Sequence, residues 1–199
     1  MEKMTMTRAE LTEWKETMSN SGNAINYVGD FIDGFATVQR VKDKLFNFID
    51  ANGNILFDKW FNYLGDFHEG VAIVRRSDNL FNFIDRQGNY LSDVWFEWVY
   101  CFHEGFARVQ RAADHYFNFI DVNGNILFDK WFVDAYNFHE GFAIVRREDK
   151  LFNYIDIEGN YLSDEWFKRA GTFCDGVAKV FRCNGNWCKI NKSGQLQDI

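Results

Sequence analysis

One unit is written five times along this chain, and the repetition limits the fold more than any motif does. Glycines that follow an acidic residue fall at Gly34, Gly70, Gly105, Gly141 and Gly176, in steps of 36, 35, 36 and 35 residues. A second glycine series runs Gly53, Gly88, Gly124, Gly159, Gly194, and a tryptophan series Trp60, Trp95, Trp131, Trp166. A fixed period in this range means supersecondary units that bury their apolar faces on one another.

The second unit shows the pattern. Val71 to Arg76 (VAIVRR) alternates and is rich in β-formers, Ser77-Asp78-Asn79 is a turn, and Leu80 to Asp85 (LFNFID) reads as a second strand. Gln87-Gly88-Asn89 is another turn, Tyr90 onwards (YLSDVWF) reads as a third extended piece, and a longer segment, Glu97 to Glu104, leads to the next unit. Three short strands joined by tight turns predict an antiparallel meander. Only the first hairpin turn changes length: Arg40 to Phe46 and Arg111 to Phe117 span six residues, Arg76 to Phe81 and Arg147 to Phe152 five. Insertions settle at exposed loop tips, so this turn is expected on the surface.

Alternate units are the most alike. NILFDKWF stands at 54–61 and again at 125–132, and NYLSDVWF at 89–96 is echoed by NYLSDEWF at 160–167. The super-repeat is 71 residues long. Duplication of a two-unit block explains it without invoking function; the alternative is that the array, or a dimer of it, exposes two kinds of surface.

Residues 1–24 lie outside the array, and 25–199 hold the five repeats. Thr7 with Glu10 makes a capping-box pattern, with Leu11, Trp14 and Met18 following at helical spacing. A short amphipathic helix over about 8–18 is expected, then a loop at Ser19 to Asn23. Its expected task is to cover the open end of the array, since terminal units expose an apolar face.

In the first strand Ala36/Val38/Arg40 and their copies share one face. The positions beside them, Thr37, Ile73, Arg108, Ile144 and Lys179, are expected to face solvent or a groove. Phe46/Phe48/Asp50 share a face of the second strand, which predicts Val38 near Phe48 and Arg40 near Phe46, with the guanidinium over the Phe ring.

The series Arg40, Arg76, Arg111, Arg147 and Arg182 is the candidate partner-binding set. A ladder of cations would grip a linear anion or an acidic partner. The structural alternative has each Arg cover a Phe and pair with a turn acid such as Asp43, Asp78, Asp114 or Asp149. The D-x-x-G-N turns (Asp50 to Asn54 and copies) resemble fragments of calcium loops, but they lack further acidic ligands and the terminal Glu. They are expected to be self-capped turns. His68, His103 and His139 share a slot that holds Ile32 in the first repeat and Cys174 in the last, which reads as a half-buried structural position.

Net charge is −7. This argues against duplex nucleic acid and against an anionic membrane as direct partners. No apolar signal region or membrane span is visible, so a cytoplasmic location is expected. Cys101, Cys174, Cys183 and Cys188 are scattered as free thiols would be in a reducing compartment. A Cys183/Cys188 bridge or metal pair is the weaker alternative, for want of a second ligand pair. No nucleophile elbow, P-loop or dinucleotide motif stands out, and a site copied in every repeat suits catalysis poorly. No cofactor is implied.

Taken together, the L-F-N-F-I-D-x-x-G-N, D-x-W-F and F-H-E-G-F-A-x-V stretches resemble the bacterial WG (KWG) repeat over about residues 26–199. The likeness lies in the I-D-x-x-G turn (Ile49-Asp50, Gly53 and copies) and the G-[FV]-A-x-V strand (Gly34, Ala36, Val38 and copies). It departs at the namesake dipeptide: Phe46-Asn47, Phe81-Asn82, Phe117-Asn118 and Phe152-Asn153 replace Trp-Gly, and the last unit has Trp187-Cys188. The proline often carried by the family's third strand is missing too. The resemblance implies a β-rich repeat array that mediates interactions.

The expected fold is all-β: five tandem three-stranded antiparallel units in a solenoid-like array with an N-terminal capping helix. A closed five-bladed toroid is the alternative, though about 35 residues is short for a four-stranded blade. The expected function is a non-enzymatic scaffold for a protein partner, with a homo-oligomer also possible. Two other readings stay open. One is an acidic inhibitor or accessory of a nucleic-acid-processing system in phage or defence. The other is a glycan-binding protein that stacks sugars on Trp60, Trp95, Trp131 and Trp166, which requires rings otherwise expected to be mainly buried.

Overall fold

The computed structural model describes residues 6–20, 22 and 24–199. The predicted helix is present as α1, Arg8–Asn20. Its capping box forms as expected: the Thr7 N–H donates to Glu10 Oε2 at 2.7 Å, and the Glu10 N–H to Thr7 Oγ1 at 3.3 Å. The helix runs through Ser19 and Asn20, where a loop was expected; Ser21 and Asn23 lie outside the described residues.

All other regular structure among the described residues is β. The first sheet is β1 (Ile25–Ile32), β2 (Phe35–Arg40) and β3 (Phe46–Asp50), and the second is β4 (Tyr63–Leu64), β5 (Val71–Arg75) and β6 (Phe81–Asp85). The third holds β7 (Trp98–Val99), β8 (Phe106–Gln110) and β9 (Phe117–Asp121), the fourth β10 (Asp134–His139), β11 (Phe142–Arg146) and β12 (Phe152–Ile155). The fifth has four strands, β13 (Arg169–Ala170), β14 (Val177–Phe181), β15 (Trp187–Asn191) and β16 (Leu196–Asp198). Every pairing is antiparallel and joins neighbours in sequence.

The turn between the first two strands of a sheet is the acid–Gly pair. Asp33 and Gly34 both have positive φ, 50° and 86°. Two such residues make a type I′ turn, whose twist matches that of the strands it joins. The turn of variable length lies at the surface as expected, with Lys44, Asn79, His115 and Lys150 in the left-handed region.

Two expectations are corrected. In the first four sheets the third strand is not the piece after the second glycine, which pairs as a strand, β16, in the fifth. Their third strand is the segment before the acid–Gly turn, such as Tyr63–Leu64. The piece expected as a strand touches the sheet through isolated bridges only, Ile49 with Ile55 and Phe46 with Phe61. Two of its carbonyls are taken by a side chain instead of a ladder. The hairpin register also differs by one: Val38 pairs with Asn47, Thr37 with Phe48 and Gln39 with Phe46.

The chain divides into two compact units, residues 1–95 and 96–199. In each, apolar clusters fill the seams between successive elements. In the first, Met6, Trp14 and Met18 pack on Ile25, Ala36, Val38 and Ile49. Phe48, Phe57, Phe61, Leu64, Phe67, Ala72, Val74 and Ile84 fill the next seam. In the second, one cluster joins the third and fourth sheets and another the fourth and fifth. The same ring pair recurs: Phe48 on Phe67 at 4.7 Å, Phe119 on Phe138 at 4.8 Å, Tyr154 on Phe173 at 4.9 Å. Such pairs add about 0.5–1.5 kcal/mol beyond their buried area.

The helix does its expected capping by imitating a repeat. Phe57 of the first repeat lies over the turn of the second, its Cδ1 3.1 Å from where a Gly88 Cβ would be. Trp14 takes the same place over Gly53, and its indole N–H donates to the Gly53 carbonyl at 2.6 Å. The first sheet therefore finds on its exposed side the kind of ring that a preceding repeat would supply.

Candidate interaction surface

Each of the first four arginines in the candidate series is held within its own repeat. Arg40 lies over the Trp60 ring at 4.4 Å, Arg76 over Trp95 at 4.5 Å, Arg111 over Trp131 at 4.5 Å and Arg147 over Trp166 at 4.4 Å. The cation covers a Trp, not the expected Phe, because the one-residue change of register turns it away from Phe46. The expected acids are in place: Arg40 with Asp43, Arg76 with Asp78, Arg111 with Asp114, Arg147 with Asp149. The guanidinium beside each acid holds Asp43, Asp78, Asp114 and Asp149 below the usual carboxylate range. Arg182 pairs instead with Glu165 at 2.9 Å. The four tryptophans are half-buried, with one face under a cation.

The segment that carries each Trp is pinned by an asparagine that sequence reasoning passed over. Asn47 is fully buried; its Nδ2 donates to the carbonyls of Phe57 at 2.7 Å and Lys59 at 2.9 Å. Its Oδ1 accepts from the N–H of Phe48 at 2.7 Å and of Phe57 at 3.2 Å. Asn82, Asn118 and Asn153 hold carbonyls ten and twelve residues on in the same way. A signal was available: Asn is a poor strand former, yet it stands mid-strand in four repeats.

The super-repeat decides what the pinned segment displays. In the first and third repeats it places Phe57 and Phe128 under the next turn and sends a lysine outward. Lys59 lies over the Tyr90 ring at 4.3 Å, and Tyr90 meets Trp95 at 5.0 Å. Lys130 lies over Tyr161 at 4.0 Å, and Tyr161 meets Trp166 at 5.0 Å. Lys130 also donates to the Gly159 carbonyl at 3.0 Å. The second and fourth repeats carry Ser92 and Ser163 instead, each accepting a backbone N–H two residues on. Each unit thus presents one Lys–Tyr–Trp–Arg cluster: Lys59, Tyr90, Trp95, Arg76 in the first and Lys130, Tyr161, Trp166, Arg147 in the second. Beside each is a groove, of ≈ 190 Å³ along Phe57, Asp58, Lys59 and Gly88. Its counterpart of ≈ 370 Å³ runs along Phe128, Asp129, Lys130 and Gly159. Ligand pockets are commonly about 300–1,000 Å³, so the first groove falls below that range and the second only at its low end.

The positions expected to face solvent or a groove are corrected in part. Ile144 is buried in the seam between the fourth and fifth sheets. Arg108 lies over Tyr100 at 3.7 Å and donates to the Ala135 carbonyl of the next repeat. Thr37 and Ile73 are half-buried, and Lys179 is exposed. Tyr63 and Trp98, on short edge strands, keep exposed rings at 45% and 49%.

The histidine slot is less uniform than expected: His68 is exposed, whereas His103 and His139 are half-buried. All four cysteines are free; Cys188 is buried in the Asn position of the fifth repeat and Cys183 is exposed.

The D-x-x-G-N turns use their acids as expected. Asp121 Oδ1 accepts from the N–H groups of Asn123 and Asn125, both at 2.9 Å, and Oδ2 from the Asn125 amide at 3.0 Å. Partial burial pulls the pKa of Asp50, Asp85 and Asp121 upward, but these donors outweigh it and leave all three below the ordinary value. A depressed folded-state pKa adds stability above the unfolded value, near 3.9, that is lost as pH falls through the folded one. The urea midpoint should therefore fall from about pH 5 downward. The fifth repeat already uses Asn191 to accept from Ser193 and Gln195. The triple change D50N, D85N, D121N should then fold and show a flatter acid limb; an unchanged limb would mean that these turns do not set it.

The family model described as WG containing repeat matches residues 48–80, 83–111 and 119–150. A search of curated proteins finds no match. Among solved structures the chain is similar to BamB from Moraxella catarrhalis, at 11% identity and TM-score 0.41, over 87% of this chain and 61% of that one. It is also similar to Kluyveromyces lactis Hsv2, at 11% identity and TM-score 0.44, over 82% of this chain and 59% of that one. For the C-terminal WD40 domain of Sif2 the values are 11% and 0.39, over 90% and 59%. The matches thus take in about three fifths of the length of these structures.

Proposed function

This chain belongs to the WG-containing-repeat family, and we propose that it is a non-enzymatic scaffold whose repeated surface binds a protein partner. The observation that carries this reading is the duplicated Lys–Tyr–Trp–Arg cluster, one copy in each unit beside a shallow groove. Aromatic rings flanked by cations suit a protein surface: the rings supply rigid contact area and the cations set register. The lowered acid pKa values of the turns trace to caps and neighbouring guanidiniums repeated from copy to copy, which favours construction over chemistry. The glycan reading loses support because a guanidinium lies over a face of each tryptophan that a sugar would need.

The test is affinity capture from the native host with wild-type protein and with the variant K59A, Y90A, K130A, Y161A. We expect a partner that wild type retains and the variant, folded by circular dichroism, loses. Equal capture by both, or no partner above background, would refute the reading.

A further inference from the structure

We propose that His103, Glu104 and His139 form a binding site for one divalent transition-metal ion of the zinc class. One ring nitrogen from each histidine and a Glu104 carboxylate oxygen all lie within 4.8 Å of one another, and the two rings are 4.6 Å apart. Both histidines flank acid–Gly turns, His103 bridging to Phe106 and His139 pairing with Phe142. Glu104 fastens the two turns together: its carboxylate accepts from the N–H of Glu140 at 3.0 Å and of Gly141 at 3.2 Å. Each carboxylate oxygen has a second lone pair, so these bonds leave donor capacity for a metal.

A second observation points the same way. Nδ1 of His103 is enclosed and has no hydrogen-bond partner. An orphaned buried polar atom is costly, and no hydrogen bond at that nitrogen fixes the ring in place. Two imidazoles and a carboxylate suit zinc, with water as the fourth ligand, and suit magnesium or calcium poorly. Zinc bonds near 2.0–2.1 Å place tetrahedral ligand atoms about 3.3 Å apart, within reach of small side-chain rotations. Among the described residues the grouping is found at this pair of repeats: the same slot holds Ile32 in the first repeat, an exposed His68 in the second and Cys174 in the fifth.

The test is calorimetric titration of the reduced full-length chain with Zn²⁺, and with Co²⁺ followed by visible absorption. Wild type should bind one equivalent and give a tetrahedral Co²⁺ spectrum without a thiolate charge-transfer band. H103N and H139N should each weaken binding by about tenfold or more. H68N and C174S should bind as wild type. The slot accepts Ile and Cys elsewhere, so the variants should fold. Zinc protection of the wild-type imidazoles from diethylpyrocarbonate reads the site without any substitution. Absence of saturable binding, wild-type affinity in H103N and H139N, or a thiolate band that C174S removes would overturn the assignment.

Discussion

Replacing Asn47 with alanine should cost about 4 kcal/mol, because four buried backbone groups lose partners worth about 1–3 kcal/mol each and part of the loss is recovered by relaxation. The Phe57 and Lys59 carbonyls and the Phe48 and Phe57 N–H groups are the ones orphaned. Asn47→Asp should be comparably damaging at neutral pH. It keeps the volume and the oxygen that accepts from Phe48 and Phe57 but turns a second oxygen toward two carbonyls that need a donor. Urea unfolding followed by circular dichroism and tryptophan fluorescence measures both. The bridges Ile49–Ile55 and Phe46–Phe61 also touch this segment. A loss below about 1 kcal/mol would show that they hold it without the amide. Since this segment carries Lys59 and Trp60, the variant should also lose partner capture.

Gly194→Ala should be the most damaging of the turn-glycine changes in the second unit, at about 3 kcal/mol. Gly194 has φ +79°, and a Cβ there would collide with the Leu162 carbonyl oxygen. That oxygen belongs to backbone whose own N–H is bonded to the Tyr154 carbonyl, so it cannot swing aside as a side chain would. Gly141→Ala is the matched control: φ is +86° with nothing within 4 Å of the added carbon. Only the cost of the left-handed backbone, about 1 kcal/mol, then remains. The difference between the two melting curves isolates the seam contact between the fourth and fifth repeats. Equal losses would mean that the turn moves off Leu162 freely.

Much of the architecture was legible because it is local. The self-capped Asp50 and Asp121 turns and the Thr7/Glu10 box each rest on residues within four positions of one another; the type I′ turns at Asp33-Gly34 and its copies are as local but were read only as the repeat period. Arg40 with Asp43 was legible for the same reason. Its tryptophan was not, since Trp60 lies twenty residues on and its place depends on the register. That register was misread because Phe46/Phe48/Asp50 looks like the inward face of an alternating strand. Phe48 in fact faces the neighbouring repeat, where it stacks on Phe67, while Asn47 lies opposite Val38. Alternation cannot tell one buried face from the other when both are covered. The Lys–Tyr contacts escaped notice although the super-repeat carried them, Lys59 and Lys130 recurring with Tyr90 and Tyr161.

The amino-acid order alone determined the number of copies, the positions of their turns, the exposed loop that absorbs insertions and the helix that begins the array. Each follows from short-range backbone preference and from periodicity. Tertiary structure alone decided which ring each arginine covers, which segment becomes the edge strand and which histidines meet. Those outcomes depend on partners ten to thirty-six residues away. Across such distances they are selected by the shape of the seam between neighbouring sheets and by the need to satisfy every amide buried there.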